Sequence, residues 1–180
     1  IRDKLVTGVQ TCALPISFYE KSGTMEKEQL GAEDINIIVN LLETVQPNQI
    51  YAAGDFDDPN GTHRTCFDAI IAALKFIKAK NAQWLKDCRM WLYRGAWNEF
   101  YVYETDMAVP LSPDEVTIKR KAIFKHQTQK DFVAFPGSDN REFWQRAEER
   151  NRKTATLYDR LGLADYQAIE SFIKYNLDNV

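Results

Sequence analysis

Between Gly54 and Arg64 the chain reads Gly-Asp-Phe-Asp-Asp-Pro-Asn-Gly-Thr-His-Arg, which places three acids and a histidine within nine residues, from Asp55 to His63. Imidazole nitrogen and carboxylate oxygen are the donors that catalytic zinc sites combine, with one position left open for water. Asp55, Asp57, Asp58 and His63 are therefore the candidate donors. The same residues have a plainer reading: acids at the start of a helix complement its dipole, and a histidine there can simply be hydrogen-bonded. The chain has only two histidines, His63 and His126. His126 sits on a basic stretch with Lys119, Arg120, Lys121, Lys125 and Lys130. It can either approach a pocket or act as a cation near a helix carboxyl end. Arg94, at the end of an apolar run, suits bidentate binding of a sugar or phosphate oxygen, or a salt bridge. The aromatics Trp91, Tyr93, Trp97, Phe100, Tyr101 and Tyr103 can stack on a sugar ring or fill a strand core.

The elements around these residues follow from periodicity. Ile35, Ile38, Leu41, Leu42 and Val45 fall at helical spacing, with Glu33 and Asp34 in the first turn, so a helix is expected over 32–46, ended by Pro47. Ile50–Ala53 is a short apolar run between Pro47 and Gly54 and reads as a buried strand. Thr62 is the expected cap of a helix to about Lys80, with Cys66, Phe67, Ile70, Ile71, Leu74 and Ile77 on its inner face. Arg89–Arg94 reads as a second strand and Phe100–Tyr103 as a third. Ser112 with Glu115 has capping-box spacing and begins a helix to about Gln129. A helix is expected over 141–161, with Phe143, Trp144, Ala147, Ala155 and Leu157 inward and a solvated face of mixed charge, ended by Gly162. A final amphipathic helix is expected over 164–175. This order predicts a layered α/β domain, with the acidic turn at the carboxyl end of a strand, where open α/β sheets place their sites.

Composition is that of a globular chain of 180 residues, 44% apolar and 27% charged. That length supports one domain with a core. A net charge of −3 offers no electrostatic basis for binding nucleic acid or an anionic membrane. No apolar run is long enough to span a bilayer. Cys12, Cys66 and Cys88 are odd in number and lack metal-finger spacing, which predicts reduced thiols in a cytoplasmic protein. The segment Val6–Ile16 fails the pattern of a signal peptide. It resembles the translation of a sequencing adapter found in assembled environmental DNA. Residues 1–17 are accordingly expected to be non-native, and a natural amino-terminal part is expected upstream.

The run Gln49–Leu74 resembles the second signature of the PIG-L/LmbE deacetylase family, an H-x-x-H element between a strand and a helix. Trp91-Leu92-Tyr93-Arg94-Gly95, Met107-Ala108-Val109-Pro110-Leu111-Ser112 and the stretch Lys119–Gln129 extend the match, which covers nearly everything from Phe18. It is most similar to the deacetylase-like domain of long bacterial proteins named glucosamine-6-phosphate deaminases. The resemblance implies an α/β fold, an incomplete Rossmann-like three-layer α/β/α domain whose C-terminal portion, 18–180, carries several helices. It implies a zinc-bound water acting on an N-acetyl amino sugar, zinc in the complete parent, and a covalently attached amino-terminal isomerase-type domain. It gives His63 the position of the metal-binding histidine. Asn60 takes the place of the first histidine of the element. Thr62 stands where many members have an aspartate, and Asp58 matches an acid before the first histidine. Asp55, Asp58, Asn60, Arg94 and His126 are the implied pocket. The family's H-P-D-D motif occurs nowhere in the chain, so the other ligands and the general base have no counterpart. No catalytic residue is assigned, no tight zinc binding is expected of this chain alone, and the expectation is an inactive piece of an amidohydrolase. The alternative is a non-catalytic regulatory or packing domain of a hexosamine-phosphate deaminase. An amino sugar is the expected small-molecule partner; nucleic acid and membrane are not expected.

Overall fold

A computed structural model describes residues 29–57, 61–126 and 139–180. It is mixed α/β: four α-helices and four strands, in the order α1 (Ala32–Val45), β1 (Gln49–Ala53), α2 (Thr62–Ala79), β2 (Arg89–Tyr93), β3 (Met107–Leu111), α3 (Pro113–Ile123), α4 (Phe143–Arg160), β4 (Ala168–Tyr175). The chain divides into two compact units. One takes in residues up to Leu92 together with Lys174–Val180; the other is Tyr93–Ile173.

In the first unit, α1 packs on α2. The Gly31 amide donates to the Asp34 carboxylate at 2.9 Å, which closes the start of α1 and explains why Asp34 is buried. Gln46 ends the helix in the left-handed region, just before Pro47. α1 buries Ile38, Val39 and Leu42; α2 buries Cys66, Phe67, Ala69, Ile70, Ala73, Leu74 and Ile77. The apolar spacing therefore did its work through one face of each helix. The start of α2 differs from expectation: Gly61 is its cap and Thr62 its first residue. Gly61 has φ +65°, a conformation glycine adopts at no steric cost. β1 and β2 are neighbours, and α2 connects them. β2 alternates, with Met90 and Leu92 buried. The Phe67 ring packs tilted against Phe56, centroids 4.9 Å apart, and edge-to-face against Tyr175 at 5.4 Å. Lys78 Nζ donates to the carbonyls of Leu177, Asp178 and Val180 at 2.9–3.1 Å, holding the carboxyl-terminal turn on α2.

In the second unit, β3 and β4 pair antiparallel, with Val109 opposite Glu170 and Met107 opposite Phe172. Two expectations fail here. The segment expected as a terminal helix is strand β4. Ile169, Phe172 and Ile173 have helical spacing, but pairing with β3 satisfies the backbone and buries Ala168–Ser171 in succession. The expected strand at Phe100–Tyr103 is instead a 3-10 turn, Val102–Glu104. Its aromatic residues favour strands, but the Glu104 carboxylate takes the Tyr101 amide and closes the turn locally. The paired strand lies just beyond, at Met107–Leu111. α3 begins as expected: Ser112 Oγ accepts from the Glu115 amide and the Glu115 carboxylate accepts from the Ser112 amide. α3 ends at Ile123, short of the expected Gln129: Phe124 caps it and Lys125 and His126 are no longer helical, while 127–129 lie outside the described residues. α4 buries Ala147, Arg150, Asn151, Thr154 and Ala155, whereas Leu157, expected inward, is 47% exposed.

Candidate functional site

The β1–α2 turn begins where the strand runs into the core. Ala52, Ala53 and Gly54 are buried and Asp55 is fully buried. The backbone carbonyl of Asp55 faces His63 Nδ1 at 3.2 Å across the turn. A carbonyl only accepts, so in this contact Nδ1 is the donor. A backbone carbonyl on one ring nitrogen is a partner that orients metal-ligating histidines as well as purely structural ones. The sequence on either side stiffens the turn. The Arg64 guanidinium lies 4.0 Å over the Phe56 ring, and Phe56 leans on buried Phe67 of α2. Thr65 Oγ1 donates to the Gly61 carbonyl at 3.1 Å. Asp57 is exposed. Asp58 and Asn60 lie outside the described residues.

The structure thus brings two sequence-predicted residues together, Asp55 and His63, with the Asp55 backbone carbonyl at the imidazole. Arg94 and His126 belong to the other unit. Arg94 is half-buried with its guanidinium 4.6 Å over the Phe100 ring. His126 is exposed just past α3, its amide donating to the Ile123 carbonyl. Zinc chemistry needs three protein ligands around an open position. Among the described residues no group of three His, Cys, Asp or Glu side chains gathers. His63 supplies one nitrogen, and the described residues alone do not fit a catalytic zinc. Cys66 and Cys88 are buried thiols outside any disulfide, and burial pushes the Cys88 thiol up to about 11.

Sequence reasoning missed a buried ionic chain in the second unit. Arg150 on α4 donates to Glu99 Oε2 at 2.6 Å and to Glu170 Oε1 at 2.7 Å. Lys119 on α3 pairs with the other oxygen of Glu170 and donates to Asn151 Oδ1 at 2.7 Å. Asn151 Nδ2 donates to the Ile169 carbonyl at 3.0 Å, and Thr154 Oγ1 donates to Glu99. Burial raises the carboxyl of Glu99, and Arg150 only partly offsets this. Burial would also raise Glu170, but the charges of Arg150 and Lys119 outweigh it and hold Glu170 low. Burial lowers the Lys119 ammonium. A cavity of ≈ 10 Å³, room for one water, opens beside Lys119, Asn151 and Ala168. Arg150 and Lys119 meet Glu99 and Glu170 in this network, so the arrangement ties β4, α3 and α4 together. One signal for it was available: Ala147, Arg150, Asn151, Thr154 and Ala155 have the i, i+3, i+4, i+7, i+8 spacing of one helix face. A charge on that face must find a buried partner.

No protein-family profile matches the chain. Among the described residues no helix is long and apolar enough to cross a membrane. One solved structure, a deacetylase triple mutant involved in the teicoplanin biosynthetic pathway, covers 80% of this chain and 57% of its own length. Its TM-score is 0.48 at 15% identity, too distant a likeness to carry a functional argument. The sequence is 52% identical over 162 residues to a putative glucosamine-6-phosphate deaminase-like protein of Bacteroides thetaiotaomicron. That match covers 90% of this chain and 24% of the relative. The resemblance to long deaminase-like bacterial proteins is met by this relative, and the chain is similar to one segment, about a quarter, of it.

Proposed function

We propose that the chain is the C-terminal part of a PIG-L/LmbE-like, zinc-dependent N-acetyl amino-sugar deacetylase domain. In the longer protein it is joined to a glucosamine-6-phosphate deaminase, and on its own it does not hydrolyse amides. The observation that carries this reading is the 52% identity to a segment of a deaminase-like protein four times as long. Two further facts support it. His63 stands on the first turn of α2, oriented through Nδ1 by the Asp55 backbone carbonyl. The sequence contains no H-P-D-D element, so the chain lacks the family's other ligands and its base. No catalytic step is assigned to the residues present. Cys66 and Cys88, buried as thiols, favour a reducing, cytoplasmic setting.

Asn60 and Thr62 favour a second reading, a non-catalytic domain that regulates or packs against the deaminase. Asn60 stands where the resemblance places a histidine, and an amide does not titrate near neutrality. The test uses the longer protein, purified with and without His63→Ala. Zinc content is measured with hydrolysis of an N-acetylglucosamine derivative. Loss of zinc and of acetate release in the variant supports the deacetylase reading. Unchanged zinc in the variant removes His63 as a ligand. Absence of both zinc and activity from the unaltered longer protein favours the second reading. Zinc-dependent acetate release by the 180-residue chain alone would overturn its proposed inactivity.

A further inference from the structure

The 3-10 turn that replaces the expected third strand leaves Tyr101 65% and Tyr103 82% exposed. Their rings lie parallel, 7° apart, with centroids 5.2 Å from each other. Three local hydrogen bonds fix the turn. The Tyr101 amide donates to the Glu104 carboxylate at 3.0 Å, the Glu104 amide to the Tyr101 carbonyl at 2.9 Å, and Thr105 Oγ1 to the same carbonyl at 3.2 Å. The next residue is fixed too: the Asp106 amide donates to the Phe172 carbonyl of β4 at 3.0 Å. Two large aromatic side chains are therefore held outward on a stiff support. Rigid, outward tyrosines are the anchors that protein interfaces bury, at small entropic cost.

Charge narrows the partner. From Asn98 to Asp106 the chain carries Glu99, Glu104 and Asp106 and no basic residue. Glu99 is turned inward onto Arg150, whereas the Glu104 carboxylate sits at the Tyr101 amide and keeps negative charge beside the rings. A planar guanidinium satisfies both features at once, stacking on a tyrosine face while its N–H fork meets a carboxylate. An ammonium is a point charge and stacks less well. Small cationic ligands are held in concave sites, and a pair of outward, largely exposed rings is not one. We propose that the Tyr101–Tyr103 turn is a docking site for an arginine-bearing segment of a protein partner.

The test titrates the purified chain with a short arginine–glycine peptide, with its lysine counterpart and with free glucosamine, following the tyrosine ring resonances by NMR. The arginine peptide is expected to shift the Tyr101 and Tyr103 signals and to bind more tightly than the lysine peptide. Tyr103→Ala should weaken it about two- to five-fold, the range of an exposed cation–π contact. Tyr103→Phe, which keeps the ring face, should restore binding. Glu104→Gln, whose amide oxygen still accepts the Tyr101 amide, should weaken binding and reduce its salt dependence. Tyr103 is so exposed that these changes leave the fold intact, which the unchanged remainder of the spectrum will show. Equal binding of the arginine peptide by Tyr103→Ala overturns the proposal. So does glucosamine shifting the tyrosine signals when the peptide does not.

Discussion

Arg150→Met isolates the largest single electrostatic commitment in the fold. The guanidinium side chain is only 7% exposed and makes two charge-assisted hydrogen bonds, 2.6 Å to Glu99 and 2.7 Å to Glu170. Each such bond contributes roughly 1.5–3 kcal/mol. Methionine fills much of the same volume, so the loss is electrostatic: two buried carboxylates are left with Lys119 as their nearby cation. Removing one partner of a buried pair costs about 3–5 kcal/mol, in line with the two bonds. For a chain of this size that corresponds to a fall in Tm of roughly 6–20 °C. The sign of the pH dependence follows from the two acids. Glu170 is held low, so its contribution is present above its unfolded value and is lost as pH falls through its folded value. Glu99 is held high, so it opposes stability near neutrality and relaxes as pH falls through its folded value. Without Arg150 both acids rise, and the variant's deficit should be largest at neutral pH and shrink as they protonate toward the ordinary glutamate range. Urea unfolding of the two proteins across that pH range measures this. Arg152→Met is the comparison, since the Arg152 side chain is 43% exposed in its i,i+4 pair with Glu148 and should cost under about 1 kcal/mol. An Arg150→Met deficit no larger than that of Arg152→Met, or one that grows with acidification, would refute the reasoning.

Gly61→Ala should cost about 1–2 kcal/mol in chemical denaturation, because the left-handed backbone at φ +65° crowds a Cβ although no neighbour lies within reach of it. Gly61→Asn should recover most of that loss. Ser112→Ala removes the acceptor of the Glu115 amide and should cost about 1 kcal/mol, seen also as faster amide exchange in the first turn of α3. Cys88, buried and with its thiol pushed up to about 11, should resist a thiol reagent in the native protein and react at the rate of unfolding. Rapid native-state modification would contradict its burial.

The sequence by itself determined what is local. α1, α2 and the body of α4 follow from apolar spacing, β1 and β2 from short apolar runs, and the Ser112 cap from a three-residue pattern. The Asp55–His63 contact was legible for the same reason: the partners are eight residues apart on one turn. Tertiary structure decided the rest. Ala168–Tyr175 carries apolar residues at spacings that serve either a helix or a strand, and only pairing with β3 selects the strand. Phe100–Tyr103 has the composition of a strand, but a turn closed by Glu104 satisfies its backbone, leaving Met107–Leu111 to pair. Arg150, Glu99, Lys119 and Glu170 are scattered over 72 positions, from Glu99 to Glu170. No local rule distinguishes them from surface charges. Burial of Arg150 on the inner face of α4 forces them together, since a charge removed from water must be met by an opposite one.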